Sequence, residues 1–261
     1  MQIEFLTQDD PLYILPFFEE FFVQFGDEFQ ITRVNCCPTM GSRPKSQLAQ
    51  ELLWLYGVMG LGQLVSRAAL GQAFGLLPRG PRSSRYFSMR QLCRAYRIPL
   101  VHIGNPNQPD FVEGLRERNP DLLISVACPY ILKDHILKMP RLGCVNIHHA
   151  PLPRYKGMMP TFWQMYHGEH SVGVTVHYMG TKVDEGRILL QENLAIRPSE
   201  SLDALIRRSK RHGAHCMARV VRAIGSGDAN AMEAPAVQGS YFTFPKREEI
   251  AEFHKRGFRA I

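Results

Sequence analysis

Apolar residues in this chain fall into short runs that alternate between strand and helix periodicity. Residues 1–7 (MQIEFLT) predict a strand, and the apolar spacing of PLYILPFFEEFFVQF behind it predicts a helix. FQITRVNCC, 29–37, is a second strand, so the chain opens β-α-β. The same alternation continues through helix SMRQLCRAYR, strand PLVHIG and helix DFVEGLRER. DLLISVAC, 121–128, is a continuous apolar run bounded by Pro120 and Pro129, the pattern of a strand buried on both faces of a parallel sheet. Helix ILKDHILKM, strand GCVNI and the strands GVTVHYMG and RILLQ complete the series. The fold class this predicts is α/β: a Rossmann-like, doubly wound, mostly parallel sheet with a short C-terminal helical tail. Residues 1–198 would form the main domain, with a helical insertion at about 46–80, and 199–261 a C-terminal helix and short tail packed on the core.

Two stretches interrupt this rhythm. Between Glu51 and Arg67 lie 15 residues without formal charge, including Gln63 and three glycines. A membrane-spanning helix needs about 20 apolar residues, so this segment is too short and too broken. A helical hairpin, buried or facing a partner, is the simpler reading, with homodimerisation as one use; a peripheral membrane contact or a lid is the alternative. PRGPRSSR, 78–85, reads as a basic solvated linker or a phosphate-contacting loop. After 199 a single long helix carries Leu202, Leu205, Ile206, Met217, Val220, Val221 and Ile224 along one apolar side. Its RRSKRH run, 207–212, reads as a wet helix face rather than a nucleic-acid patch.

Composition narrows the function classes only a little. At 45% hydrophobic the chain can bury a sizeable core, and a formal charge of +7 favours an anionic partner such as a phosphorylated substrate, nucleic acid or an anionic membrane face. Six cysteines show no C-x-x-C spacing, and Cys93, Cys128 and Cys144, in or beside apolar segments, read as small buried hydrophobes in a reducing compartment. The N-terminus has acidic residues where a secretion signal would be basic and apolar, so a cytoplasmic location is expected. His149, His167, His170 and His177 lack metal-motif spacing, so no metal is expected.

The chemistry concentrates at NIHHAPLPRYKG, 146–157. Asn146 and His148 flank Ile147 at the carboxyl end of a strand, where alternation puts both side chains on one side. Open parallel sheets collect ligands beyond these strand ends. Asp184 follows the next strand in a Gly-containing turn, 38 positions after Asn146. N-I-H, L-P-x-Y-x-G, G-V-T and V-D-x-G-x-I-L-x-Q, in this order, resemble the core of the N10-formyltetrahydrofolate-dependent formyltransferases, over about 85–195. That family includes methionyl-tRNA, glycinamide ribonucleotide and amino-sugar formyltransferases.

Physical chemistry gives each residue a role in such a transfer. Attack of an amine on a formyl carbonyl builds a tetrahedral oxyanion, for which the Asn146 amide and a protonated His148 are donors already in place. His148 can also carry the proton from the amine to the departing folate nitrogen, and Asp184 would orient it. The resemblance further implies a folate pocket, read largely by main-chain groups, around Val126, Pro129, Tyr130, Ile131 and Leu132, closed by the turn at Asp184. Arg154, Lys156 and Gly157 are the candidate acceptor contacts. His149, Glu185 and Arg187 depart from the family's usual residues and bear on the acceptor rather than on the transfer.

Within the resemblance, TQDDPLYIL lacks the Gly-rich phosphate loop of the glycinamide ribonucleotide enzymes, and only a helix and a tail follow Pro198, without the C-terminal β-barrel of the tRNA enzymes. The chain also begins at its first strand, whereas formyltetrahydrofolate hydrolases place a regulatory domain ahead. The expectation is therefore an anionic amino-sugar nucleotide as acceptor, with no nucleic-acid partner and no transmembrane segment. Glycinamide ribonucleotide or methionyl-tRNA formyl transfer is the alternative, and a non-catalytic folate or nucleotide binder or a membrane-associated scaffold is the alternative of another class.

Overall fold

The computed structural model describes residues 1–10, 12–39, 44–232 and 235–261, with Lys45 described by its main chain only. In chain order the elements are β1 (Gln2–Gln8), α1 (Leu15–Phe25), β2 (Gln30–Cys37), α2 (Lys45–Gly75), α3 (Met89–Ala95), β3 (Leu100–His102), α4 (Pro109–Arg118), β4 (Leu122–Val126) and α5 (Asp134–Leu137). They continue with β5 (Cys144–His148), β6 (Lys156–Gly157), α6 (Pro160–Tyr166), β7 (Ser171–Tyr178), β8 (Ile188–Ala195), α7 (Leu202–Ser226), β9 (Tyr241–Phe242) and α8 (Arg247–Lys255). A seven-stranded sheet has the order β3-β2-β1-β4-β5-β7-β8. The first five are parallel, and β7 and β8 close one edge antiparallel. The order runs outward from β1 to β3 and then resumes on the other side of β1 with β4. That reversal is the switch point where strand ends splay apart.

Side-chain alternation along β1 and β4 builds a core on each face. Ile3, Phe5, Leu122, Ile124 and Val126 meet α1, α3 and α7, while Leu6 and Leu123 meet α4 and the segment around α5. Within α1 the sequence FFEEFF explains the first layer. Phe17, Phe18, Phe21 and Phe22 are all buried around Phe5, with ring centroids of Phe18 and Phe21 at 5.2 and 5.4 Å from it. Glu19 and Glu20 turn instead towards Arg211 and His215 of α7.

Three expectations are corrected here. The helix expected over 131–139 is only Asp134–Leu137, because the Asn107 side chain accepts from Lys133 N (3.0 Å) and donates to Ile131 O (2.9 Å), holding the chain extended. The expected hairpin at 46–77 is α2, kinked where Gly57 takes φ 66°, ψ 178°, a conformation that favours glycine. Its Leu55, Tyr56 and Leu64 join a second core with α6 and α8, whereas Val58 and Met59 are 79% and 85% exposed. The basic run 207–212 is not a wet face. Arg208 pairs with Glu200 (2.6 Å) just before α7, Arg211 with Glu19 (3.1 Å) of α1 and Arg207 with Asp203 (3.9 Å) one turn earlier on α7 itself.

Among the described residues no helix is long and apolar enough to cross a membrane. The six cysteines are free, and five are buried. The tail returns to the segment after β5, where β9 pairs with β6 and Phe242 stacks on Trp163 at 4.6 Å. Of the tail aromatics, Phe244 is also buried, whereas Tyr241 is 59% exposed.

A buried carboxylate sits in an inner strand of this framework. Glu4 of β1 is 1% exposed and is held by Arg118 Nε (2.6 Å) and by Asn35 Nδ2 (2.9 Å). Removing the partner of a buried charge costs more than the pair contributes, so Arg118→Ala should destabilise the chain by roughly 3–5 kcal/mol in urea unfolding. A loss below about 1 kcal/mol, the scale of an exposed pair, would contradict this reading.

Candidate active site

Antiparallel pairing assembles the site. β5 faces β7 with Asn146 opposite His177 and His148 opposite Thr175, so four polar side chains share one face of two neighbouring strands. Thr175 Oγ1 donates to Ala150 O (2.6 Å) and accepts from Gln191 Nε2 (2.9 Å), whose other contact is Leu152 O (2.9 Å). These bonds fold the loop after β5 back over the strand ends. Gly173 permits it: a Cβ there would lie 2.2 Å from Pro151 N.

Asp184 arrives from the other direction, in the turn joining β7 to β8, with φ +53°. Aspartate tolerates this left-handed conformation better than most residues do. Its Oδ2 accepts from Gly157 N at 3.0 Å and lies 3.5 Å from His148 Nδ1, and its Oδ1 lies 3.8 Å from His177 Nε2. Lys156 and Glu185 pair at 2.7 Å beside it, a second tie between the two loops. Gly186 lets the turn close, since a Cβ there would be 1.4 Å from Tyr178 O.

Hydrogen-bond partners assign the imidazole tautomers. His177 Nδ1–H donates to Tyr178 O (2.8 Å), so its Nε2 accepts from Asn146 Nδ2 at 3.2 Å. One amide hydrogen of Asn146 remains for a ligand. His148 Nε2–H donates to Tyr155 O (2.8 Å), which leaves Nδ1 facing Asp184. Burial pushes the His177 pKa down, outweighing the Tyr178 carbonyl and Asp184, and keeps this ring neutral. His149 is pushed well below the ordinary range by burial first and by Lys210 and the neighbouring imidazoles second. Its Nδ1 meets Ser209 Oγ at 2.7 Å.

The structure thus brings Asn146, His148 and Asp184 together and adds His177, which the sequence pattern does not distinguish from the other histidines. Only the register of β7 against β5 reveals it. Among the described residues, His149, His167, His170 and His177 do not fall in a group of metal-ligating side chains. The loop after β4 emerges beside this cluster, because Val126 pairs with Ile147. Ala127 turns it with φ +55°. The Val126 and Ile131 carbonyls are engaged by Thr7 Oγ1 and Asn107 Nδ2. Among the described residues, the main-chain N–H groups of Tyr130, Ile131 and Leu132 donate to no protein group, whereas Leu132 buries its side chain and Ile131 exposes its own. Pro129 has no N–H to offer. Arg154 and Lys156, expected as acceptor contacts, are already paired with Glu169 and Glu185, and Gly157 spends its N–H on Asp184.

The fold is an open α/β sheet with a switch point, and a carboxamide, an imidazole and a carboxylate gather beside its strand ends. Residues 96–221 match the family described as Formyl transferase. The methionyl-tRNA formyltransferase of Syntrophus aciditrophicus (strain SB) is 37% identical over 155 residues, 59% of this chain and 50% of that protein. The chain spans about half the length of the curated relatives it matches. Among solved structures, a sugar N-formyltransferase from Shewanella sp FDAARGOS_354 superposes with a TM-score of 0.60 at 16% identity, covering 97% of this chain and 87% of that one. An N-formyltransferase from Helicobacter canadensis, in complex with folinic acid and dTDP-3-aminofucose, gives 0.57 at 16% identity over 92% of this chain and 70% of that one. At these identities the two structures establish the fold.

Two neutral buried imidazoles make stability depend on pH. Their folded pKa values lie below the ordinary 6.5, so an unfolded chain takes up protons that the folded chain refuses. Stability should be full above that value and lost as pH falls below it, by up to about 1.4 kcal/mol per group per pH unit. Urea unfolding across this window should show the decline, and His149→Gln should flatten it. A level profile, or a decline unchanged by the substitution, would contradict the assignment.

Proposed function

We propose that the chain transfers a formyl group from N10-formyltetrahydrofolate to a primary amine, with Asn146, His148 and Asp184 at the reacting carbonyl. The observation that carries this reading is the convergence of a carboxamide, an imidazole and a carboxylate from separate strand ends, with His148 Nδ1 3.5 Å from Asp184 Oδ2. The amine nitrogen attacks the formyl carbon, and the carbonyl oxygen takes up negative charge. The remaining Nδ2 hydrogen of Asn146 donates to that oxygen, its direction set by His177 through the 3.2 Å bond. His148 Nε2 is held on Tyr155 O, so Nδ1 is the nitrogen that exchanges protons. It receives the proton the amine gives up and delivers it to N10 as the C–N10 bond breaks. Asp184 favours the imidazolium at the intermediate stage. The N–H groups of Tyr130, Ile131 and Leu132, unengaged among the described residues, suit the carbonyl and ring acceptors of a pterin, with the Asp184 turn closing the pocket.

For the acceptor, an amino-sugar nucleotide is the first reading. A net charge of +7 suits a diphosphate, and the fold likeness to a sugar N-formyltransferase runs over nearly the whole chain. Methionyl-tRNA is the second, favoured by 37% identity to a methionyl-tRNA formyltransferase. Incubating the protein with N10-formyltetrahydrofolate and either amino-sugar nucleotides or methionyl-tRNA, and reading the mass gain of one CO, decides between them. No gain on any amine would refute formyl transfer.

His148→Ala and Asn146→Ala should each lower turnover by at least about 10², the scale of a lost acid-base group or oxyanion donor, with unchanged circular dichroism. Asp184→Asn should also impair it. Rates within a few-fold of the unsubstituted protein would reject these roles.

A further inference from the structure

We propose a zinc site, independent of the active site, formed by Glu192 of β8 with His212 and Cys216 of α7. His212 and Cys216 stand one helical turn apart, which puts both on one face of α7. That face lies against β8, the outer strand of the sheet, where Glu192 reaches up to it. The three ligand atoms all lie within 4.8 Å of one another. Glu192 Oε2 is 3.1 Å from His212 Nε2 and 3.6 Å from Cys216 Sγ. Tetrahedral zinc, with bonds of about 2.0–2.3 Å to nitrogen, oxygen and sulfur, sets neighbouring ligands about 3.4–3.6 Å apart, so little movement is needed.

Other contacts leave these atoms available. Glu192 Oε1 is taken by Arg219, which fixes the carboxylate and leaves Oε2 towards the other two groups. His212 Nε2 is buried yet makes no hydrogen bond, since the ring is not aligned with the carboxylate oxygen beside it. Imidazole, thiolate and carboxylate together suit zinc rather than calcium or magnesium, which take oxygen ligands. On binding, the Cys216 thiol gives its proton to solvent and its sulfur bonds the metal. Glutamate and thiolate then balance the two positive charges, with a water completing four ligands. The metal would clasp the edge strand to α7 one residue from Gln191, which anchors the loop beside the active site.

The test is zinc retention by the purified full chain after equilibrium dialysis, with cobalt substitution as a spectroscopic probe. One zinc per chain is expected, and the cobalt form should show thiolate charge-transfer absorption. Loss of a ligand should weaken binding at least as much as loss of an outer partner, roughly 10–100-fold, in both Cys216→Ser and His212→Gln. His215→Gln, on the adjacent helix position, should bind normally. Because Cys216 is buried and its substitution can impair folding, the half-exposed His212 gives the decisive variant. No stoichiometric zinc, unweakened binding by His212→Gln, or a cobalt spectrum without sulfur absorption would each overturn the proposal.

Discussion

Everything around the candidate site depends on the Asp184 carboxylate being held against His148. No single element achieves this. Asp184 sits in a left-handed turn, Gly157 N–H fixes one of its oxygens, and Lys156 and Glu185 tie the turn to the loop after β5. That loop is itself pinned by Thr175 and Gln191 from below and by the tail from above, where Tyr155 N donates to Ser240 Oγ at 2.8 Å. Two glycines make the approach sterically feasible, because side chains at Gly173 or Gly186 would strike main-chain atoms. The carboxylate is therefore positioned before any ligand arrives, as electrostatic preorganisation requires.

Burial decides the charge state of two of the imidazoles. His177 and His149 are kept neutral because desolvation exceeds what their partners offer. A neutral His177 accepts from Asn146 and so aims the carboxamide. A cationic ring would donate at both nitrogens and turn Asn146 around. The neutral state of His177 thus sets the direction of the Asn146 carboxamide beside His148.

Much of this architecture could be read from the chain. The run DLLISVAC announces a strand covered on both faces, and Asn-Ile-His at a strand end places two polar groups together by alternation alone. What escaped depended on contacts distant in sequence. His177 acquires its role from pairing register, the helix at 131 is cut short by the side chain of Asn107, and the RRSKRH run is neutralised by acids from α1 and from the start of α7. Arg154 and Lys156 looked available for an anion because their partners, Glu169 and Glu185, lie in other loops. Local pattern conveys periodicity, and it is silent on which opposite charge folding will bring alongside.

The most direct measurement of the central claim is a crystal structure of the chain with a bound formyltetrahydrofolate. The formyl oxygen should lie within hydrogen-bonding reach of Asn146 Nδ2, with Asp184 still against His148 and the pterin on the main chain of 130–132. A pterin bound elsewhere, or an Asp184 carboxylate turned away from the imidazole, would contradict it.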